Sequence, residues 1–417
     1  MFALVDGNNF YVSCERVFQP KLEGRPVVVL SNNDGCIISR SNEAKKLGFK
    51  MAEPVFKRKE LIEQHKVAVF SSNYSLYGDM SQRMMDTLAV FAPQIEVYSI
   101  DEAFLDLEGV KANLDELAKL LKYTVHKNVG IPVGVGIAAS KSLAKIANKI
   151  AKKNEGTFVI DSERARDWAL RNTPIEDVWG IGRQYSAKLA KSGIKTAHDF
   201  TQFDEQWVHR HYTVQGHRLW QELMGISCIP IETLMQPKKN IATTRAFGKK
   251  LSDIRIVEEA VATHAVRCAE KLRRQRSVAQ YVMVFIHTDP FSENERYVSK
   301  NITYTLPLAS NTNSAMASAA VKGLKQIFEP GLLYKKAGVI VSGISSEMHV
   351  QGSLFDSGFD LRHKQLSQVS DRINSRYGRD FLKLGIQGAR HDWKLRQERL
   401  SGRYTTCWDE IMKVFLV

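Results

Sequence analysis

A chain of 417 residues with 44% hydrophobic and 25% charged side chains is long enough for two to four domains with real cores, which excludes a peptide-scale or low-complexity protein. No apolar run of about 18 residues occurs, so no membrane span is predicted, and the N-terminus lacks the basic stretch and cleavage site of a secretory signal. The formal net charge of +14 points to a polyanionic partner, and it is unevenly placed: residues 238–346 carry 17 Lys+Arg against 8 Asp+Glu, residues 1–237 carry 30 against 28, and residues 347–417 carry 12 against 9. Cys14, Cys36, Cys228, Cys268 and Cys407 are odd in number and lack metal-ligand spacing, so they read as reduced thiols of a cytosolic protein.

Met1 to Tyr11 opens the chain as a short hydrophobic strand that ends on Asp6, with Phe10 and Tyr11 close behind. Pro26 to Leu30 and Cys36 to Ser39 read as strands joined by the turn Asn32-Asn33-Asp34-Gly35, and Ser41 to Leu47 as a helix stopped by Gly48. A helix follows from Asp79 to Ala89. Val97 to Leu107 is a β-prone apolar run with Asp101 and Glu102 at its middle. Side chains alternate faces along a strand, so these two carboxylates can act together only where the backbone bends, most simply at a hairpin tip. Two adjacent anions beside a core repel and lose hydration, and a hard divalent cation is the usual compensation. With Asp6 delivered by the first strand, the three carboxylates are what a two-metal site needs, with ions about 3.5–4 Å apart for phosphoryl transfer.

Leu114 to Val125 reads as an amphipathic helix, Val133-Gly134-Val135-Gly136-Ile137 as a strand whose glycines allow close packing, and Lys141 to Lys153 as a helix. Lys141, Lys145, Lys149 and Lys152 share one face of that helix, a solvated face for most of them. Val178-Trp179-Gly180-Ile181-Gly182 looks like a helix-hairpin-helix turn, in which the backbone N–H groups around Gly180 and Gly182 grip one DNA phosphate without reading sequence. Residues 236–240 form the best linker. Beyond it, the helix Val257 to Leu272, the cluster Arg273, Arg274 and Arg276, strand-like runs at Tyr281 to Ile286, Asn301 to Leu306 and Ala337 to Val341, and a helix near Ala315 to Ile327 make a basic α+β segment. Such a segment suits nucleic acid, with an affinity that falls by a log–log salt slope of roughly −0.9 per phosphate neutralised.

Asp6 with Asn9-Phe10-Tyr11, and Tyr98-Ser99-Ile100-Asp101-Glu102-Ala103-Phe104, resemble the paired palm motifs of the Y-family translesion DNA polymerases. Leu30 to Cys36 and Phe70 to Tyr74 are similar to the UmuC branch, the catalytic subunits of bacterial DNA polymerase V, and the match runs in order over essentially the whole chain. The resemblance implies an α/β multidomain right-hand polymerase: palm at 1–11 and 73–162, small fingers at 12–72, helical thumb at 163–235, linker at 236–240, α+β little finger at 241–346, and a C-terminal tail at 347–417. It implies low-fidelity, template-directed translesion synthesis in the SOS damage response, with Asp6, Asp101 and Glu102 as catalytic ligands of two Mg²⁺ ions. Phe10 and Tyr11 would meet the incoming dNTP, Tyr11 as a steric gate against the ribose hydroxyl, while Phe10 reads equally well as core. Cys36 to Ile38 would form the roof, and Ser39, Lys45 and Lys152 would reach the triphosphate; Asn42 and Lys45 stand where archaeal and DinB-type relatives have a Tyr and an Arg.

The little finger, with Arg273, Arg274 and Arg276, would track primer-template DNA along its phosphates. Gln351-Gly352-Ser353-Leu354-Phe355 resembles the pentapeptide that docks polymerases on the sliding clamp, through Gln351, Leu354 and Phe355. Leu400 to Thr406 resembles the extension particular to UmuC-type subunits, expected to be an interaction surface. By implication the partners are also a processed UmuD dimer and a RecA filament, in the cytoplasm at the bacterial nucleoid. Read from the residues alone, two alternatives stay open: a two-metal nuclease, which needs the carboxylates but neither Tyr11 nor Lys45 and Lys152, and a non-catalytic DNA-binding scaffold.

Overall fold

A computed structural model of the chain describes residues 1–233, 236–350, 359–389 and 392–413. They form two compact units that part close to residue 235, at the start of the predicted linker; the first takes residues 1–31, 35–235 and those from 399 onward, the second residues 32–34 and 236–398. Among the described residues no helix is long and apolar enough to cross a membrane.

The first unit runs β1 (Phe2–Gly7), α1 (Phe10–Phe18), β2 (Val27–Leu30), β3 (Ile37–Arg40), α2 (Asn42–Lys46), α3 (Lys59–Gln64), β4 (Ala68–Ser71), α4 (Tyr74–Leu88), β5 (Gln94–Val97), β6 (Glu102–Asp106), α5 (Leu114–Val129), β7 (Val133–Ala138), α6 (Lys141–Ala151) and β8 (Thr157–Ile160). Helices α7 (Glu163–Arg171), α8 (Arg183–Lys191), α9 (Ala197–Thr201) and α10 (Glu205–Leu223) follow. Five strands make one sheet in the order β5-β6-β1-β7-β8, with β1 at its centre and antiparallel to both neighbours. Ala3 and Val5 enter a core shared with α4 and α5, whereas Phe2 and Leu4 enter a second core shared with α6 and the helices after it. Burial on both faces explains why β1 is an unbroken apolar run up to Asp6. A smaller sheet, β3-β2-β4, packs its own core between β2 and α2.

The second unit comprises β9 (Ile241–Leu251), α11 (Ile254–Arg274), β10 (Ser277–Thr288), β11 (Ser299–Ser310), α12 (Asn313–Ile327), β12 (Tyr334–Ser346) and α13 (Phe359–Tyr377). Its antiparallel sheet has the order β11-β10-β12-β9, and Val282, Val284, Ile286, Val339 and Val341 are buried in the core with α11 and α12. The expected two helices and three strand runs are all present and longer. The fourth strand, β9, has no apolar run to announce it, because in IATTRAFGKKL the large apolar residues Ile241, Phe247 and Leu251 stand apart among polar and small ones. Helix α4 begins five residues before the expected Asp79 because Asn73 caps it, accepting from the Leu76 N–H at 3.3 Å.

Candidate active site

The register of β1 against β6 is set by their apolar residues, Ala3, Leu4 and Val5 facing Leu105, Phe104 and Ala103, and it leaves Asp6 directly opposite Glu102. Opposed residues of an antiparallel pair share a face with Cβ atoms about 4.5–5.5 Å apart. Asp101 ends the turn between β5 and β6, and its carbonyl accepts the Gly7 N–H at 2.8 Å. Ser99 orders that turn: its hydroxyl donates to Asp101 Oδ1 at 2.7 Å and accepts the N–H groups of Asp101 and Glu102 at 3.2 and 3.1 Å. Asp6 and Glu102 therefore stand opposite one another at one end of the sheet, with Asp101 adjacent in the turn.

Two lysines hold Asp6 and Glu102. Lys152 Nζ lies 2.6 Å from Asp6 Oδ1, and Lys145 Nζ lies 2.9 Å from Glu102 Oε1. Glycine makes this geometry possible, since a Cβ on Gly134 would come within 3.0 Å of Lys152 Cγ, and one on Gly136 within 2.1 Å of the Asn148 backbone nitrogen, so α6 lies directly on β7. Burial pushes the Asp6 carboxyl up to about 6; the Lys152 ammonium opposes that rise and the charges of Glu102 and Asp101 add to it. The expected solvated face of α6 is corrected here. Lys141 is 1% exposed and bonds Glu96 at 2.5 Å and the Pro230 carbonyl at 2.6 Å, Lys145 is spent on Glu102, and Lys149 pairs with Asp177 at 2.6 Å. The physical reason is that carboxylates from β5, β6 and the 175–177 turn line up along that face, a tertiary fact that lysine spacing alone does not encode.

Beside the carboxylates opens a cleft of about 450 Å³ whose walls include Asp6, Tyr11, Ser39, Lys45, Asp101 and Lys152. Arg40, which escaped the sequence reading, lines it too, as does Asn9, to which that reading gave no role. Lys45 Nζ donates to Asn9 Oδ1 at 2.6 Å, and its pKa is lowered by burial and by the neighbouring charges of Arg40 and Lys152. Three cations crowding one cleft make it a receptor for a polyanion. Asn9 holds the left-handed conformation (φ 49°) at the start of α1, a turn that asparagine tolerates, and this was the available signal for it. Ser39 is nearly buried and donates to the Asn9 carbonyl at 3.4 Å. Tyr11 is half-buried, stacked on Tyr77 with ring centroids 4.5 Å apart and edge-on to Tyr74 at 6.3 Å. Phe10 is buried in the core and only borders the cleft, which favours the core reading of that residue.

The proposed DNA contacts fare unequally. Gly180 turns the chain at φ +91°, and Gly182 at the N-cap of α8 supplies no side-chain hydrogen bond; the element before the turn is a single 3₁₀ turn, Ile175–Asp177. Arg273 is corrected from a DNA contact to an internal anchor. Its side chain is 7% exposed and forks onto Asp371 of α13 at 2.6 and 2.7 Å, with Asn313 at 3.0 Å. Arg274 is 74% exposed and pairs with Glu270 at 2.6 Å, and Arg276 is exposed on a left-handed backbone (φ 53°). Gln351, Leu354 and Phe355 lie outside the described residues.

Family models match three stretches: the impB/mucB/samB family over residues 5–149, its C-terminal domain over 238–354, and a domain of unknown function over 364–414. Protein UmuC of Salmonella typhimurium is 41% identical over 421 aligned residues, which span 99% of this chain and 100% of that protein. The chain belongs to the impB/mucB/samB family. MucB of Escherichia coli is 37% identical over 99% of each chain, and DNA polymerase IV of Clostridium acetobutylicum 25% identical over 82% of this chain and 85% of that one. A Y-family polymerase chimera of Dbh and Dpo4 shares the fold with a TM-score of 0.67 at 22% identity, over 83% of this chain and all of that one. This impB/mucB/samB protein is a UmuC-type Y-family DNA polymerase with the right-hand fold, a DNA-directed enzyme of translesion synthesis in the SOS response.

Membership implies use of a divalent metal ion. Among the described residues no three His, Cys, Asp or Glu side chains are gathered tightly enough to form a ready-made metal cage. The donor set nevertheless fits a hard cation: the three groups are carboxylates, Asp6 is strained upward in pKa by desolvated negative charge, and two ammonium groups already sit on the oxygens that a cation would take.

Proposed function

We propose that Asp6, Asp101 and Glu102 are the metal ligands of a template-directed nucleotidyl transfer, in which the primer 3′-hydroxyl attacks the α-phosphate of a dNTP held in the 450 Å³ cleft. Two Mg²⁺ ions bound there would lower the pKa of the attacking hydroxyl and neutralise the leaving pyrophosphate. The chain's own part is positioning and charge neutralisation. Lys45, Lys152 and Arg40 take the triphosphate, Lys152 exchanging Asp6 for a phosphate oxygen and so releasing that carboxylate as a ligand. Asn9 holds the Lys45 ammonium in place. Ile38 and Met51 roof the base, and the Tyr11 ring walls off the sugar.

The observation that carries this reading over a nuclease is the pairing of a cationic cleft end with an aromatic wall fixed on two tyrosines, neither of which phosphodiester hydrolysis needs. For DNA, the uncovered face of the second unit's sheet presents Thr303, Thr305, Ser342 and Thr244 with Tyr281 and Lys336, by the alternation of its paired strands. Hydroxyl and backbone donors of this kind hold phosphates without reading bases. Docking on a sliding clamp, association with a processed UmuD dimer and a RecA filament, and a cytoplasmic site at the nucleoid complete the proposal and follow from family membership alone. Primer extension past an abasic site tests it: extension that disappears in Asp101→Ala while DNA binding is kept supports the transfer reading, whereas primer shortening by the wild-type chain would sink it.

A further inference from the structure

The segment matched by the domain of unknown function does not end on the second unit. Residues 399–404 are threaded into the first, against α1, β4 and the start of α4. The Ser71 N–H donates to the Arg399 carbonyl at 2.9 Å, and Asn73 Nδ2 donates to the Ser401 carbonyl, the Ser401 hydroxyl and the Gly402 carbonyl at 3.2, 3.0 and 3.1 Å. Tyr404 stacks on Phe18 with centroids 4.9 Å apart and receives a hydrogen bond from Gln19 Nε2 at 3.4 Å.

Ser401 reaches further in. Its hydroxyl donates to Glu15 Oε1 at 2.9 Å, and the same oxygen accepts the Tyr77 phenol at 2.7 Å. Glu15 is fully buried; burial raises its pKa, and the two hydroxyl donors pull it back. Tyr77 is also fully buried and carries the ring on which Tyr11 stacks. Both aromatic supports of Tyr11, Tyr74 and Tyr77, stand on the first turn of α4, and the cap of that helix is Asn73. The tail therefore holds the wall of the sugar site twice over, through Glu15 to the Tyr77 phenol and through Asn73 to the start of α4. A buried carboxylate stripped of one of two donors is costly, which gives this contact leverage on the position of the ring above it.

We infer that Ser401 is a positioning residue for deoxynucleotide selection and that residues 399–404 are a strap that fixes the Tyr11 ring. This assigns a role to the C-terminal domain and rests on the reading of Tyr11 as the sugar wall. The test measures kcat/KM for dNTP and for rNTP in the full chain, for wild type, Tyr11→Ala, Ser401→Ala, Ser401→Thr and, as a second route to a loosened strap, Tyr404→Leu, each checked for folding by thermal melting. Ser401→Ala is expected to lower the dNTP-over-rNTP ratio about tenfold, roughly the worth of one hydrogen bond to a charged group, mainly through tighter rNTP binding. Tyr404→Leu should follow in the same direction, and Ser401→Thr should restore the ratio. If Tyr11→Ala collapses the ratio while folded Ser401→Ala and Tyr404→Leu keep that of the wild type, the strap is overturned and the sugar wall stands. If Tyr11→Ala itself leaves the ratio unchanged, the wall reading fails and the strap's role falls with it.

Discussion

The cationic cleft of the first unit and the arginine cluster of the second make an instructive pair. In the cleft, Arg40 and Lys45 are held by neutral partners, the Phe49 carbonyl at 2.6 Å and the Asn9 amide at 2.6 Å, and Lys152 rests on a carboxylate that a metal ion can claim. In the cluster at the end of α11, Arg273 pairs with Asp371, while Arg267 and Arg274 share Glu270 and Arg267 also meets Asp380. The segment with the larger excess of basic residues thus spends Arg267, Arg273 and Arg274 on internal pairs, while the nearly balanced segment keeps three cations poised over an opening. Charge that is available for a ligand is set by what each cation already touches, and net charge counts say little about it.

The contrast can be broken most strongly at the carboxylates. Glu102→Ala should lower kcat for primer extension by about three orders of magnitude, because losing a metal ligand removes several kcal/mol of transition-state stabilisation; single-turnover incorporation reads it. The second unit's core should instead show itself in stability. Burial drives the His264 imidazole down to about 3, helped by the charges of Arg245 and Lys271, so it stays neutral in the folded second unit. With the folded pKa below the unfolded value near 6.5, its contribution is fully present above pH 6.5 and is lost as pH falls from there towards 3, at most about 4–5 kcal/mol. Denaturant melts across that window should show the loss, and His264→Phe should flatten it.

Arg273→Ala is expected to destabilise the second unit by about 2–3 kcal/mol, below the range for a fully buried pair because Asp371 keeps 31% exposure. Arg274→Ala should change it by less than about 0.5 kcal/mol, and a denaturation series separates the two. If Arg273→Ala instead spared stability and weakened DNA binding, the contrast between cleft and cluster would be lost. In the cleft, Lys45→Ala should give an approximately tenfold rise in the KM for dNTP at nearly constant kcat, the signature of a lost ground-state contact to phosphate.

Much of the proposed catalytic end was legible because it is local. The strand ending on Asp6 and the apolar run around Asp101 and Glu102 each carry their own pattern, and β-pairing needs only those patterns to bring them together. What stayed hidden depends on partners distant in sequence. Lys141 looks like any surface lysine until Glu96 is known to stand opposite, Ser99 like any turn serine until its hydroxyl is seen to bind Asp101, and Arg273 like a phosphate contact until α13 brings Asp371 against it. The same holds for Ser401, whose partner Glu15 is 386 positions away.

The most direct test of the shared carboxylate site is Mn²⁺ binding to the full chain with primer-template and a non-hydrolysable dNTP, followed by electron paramagnetic resonance. Two bound ions are expected in the wild type, with at least one lost in Asp6→Asn. Unchanged stoichiometry and affinity in Asp6→Asn would contradict a metal site shared between β1 and the β5–β6 turn.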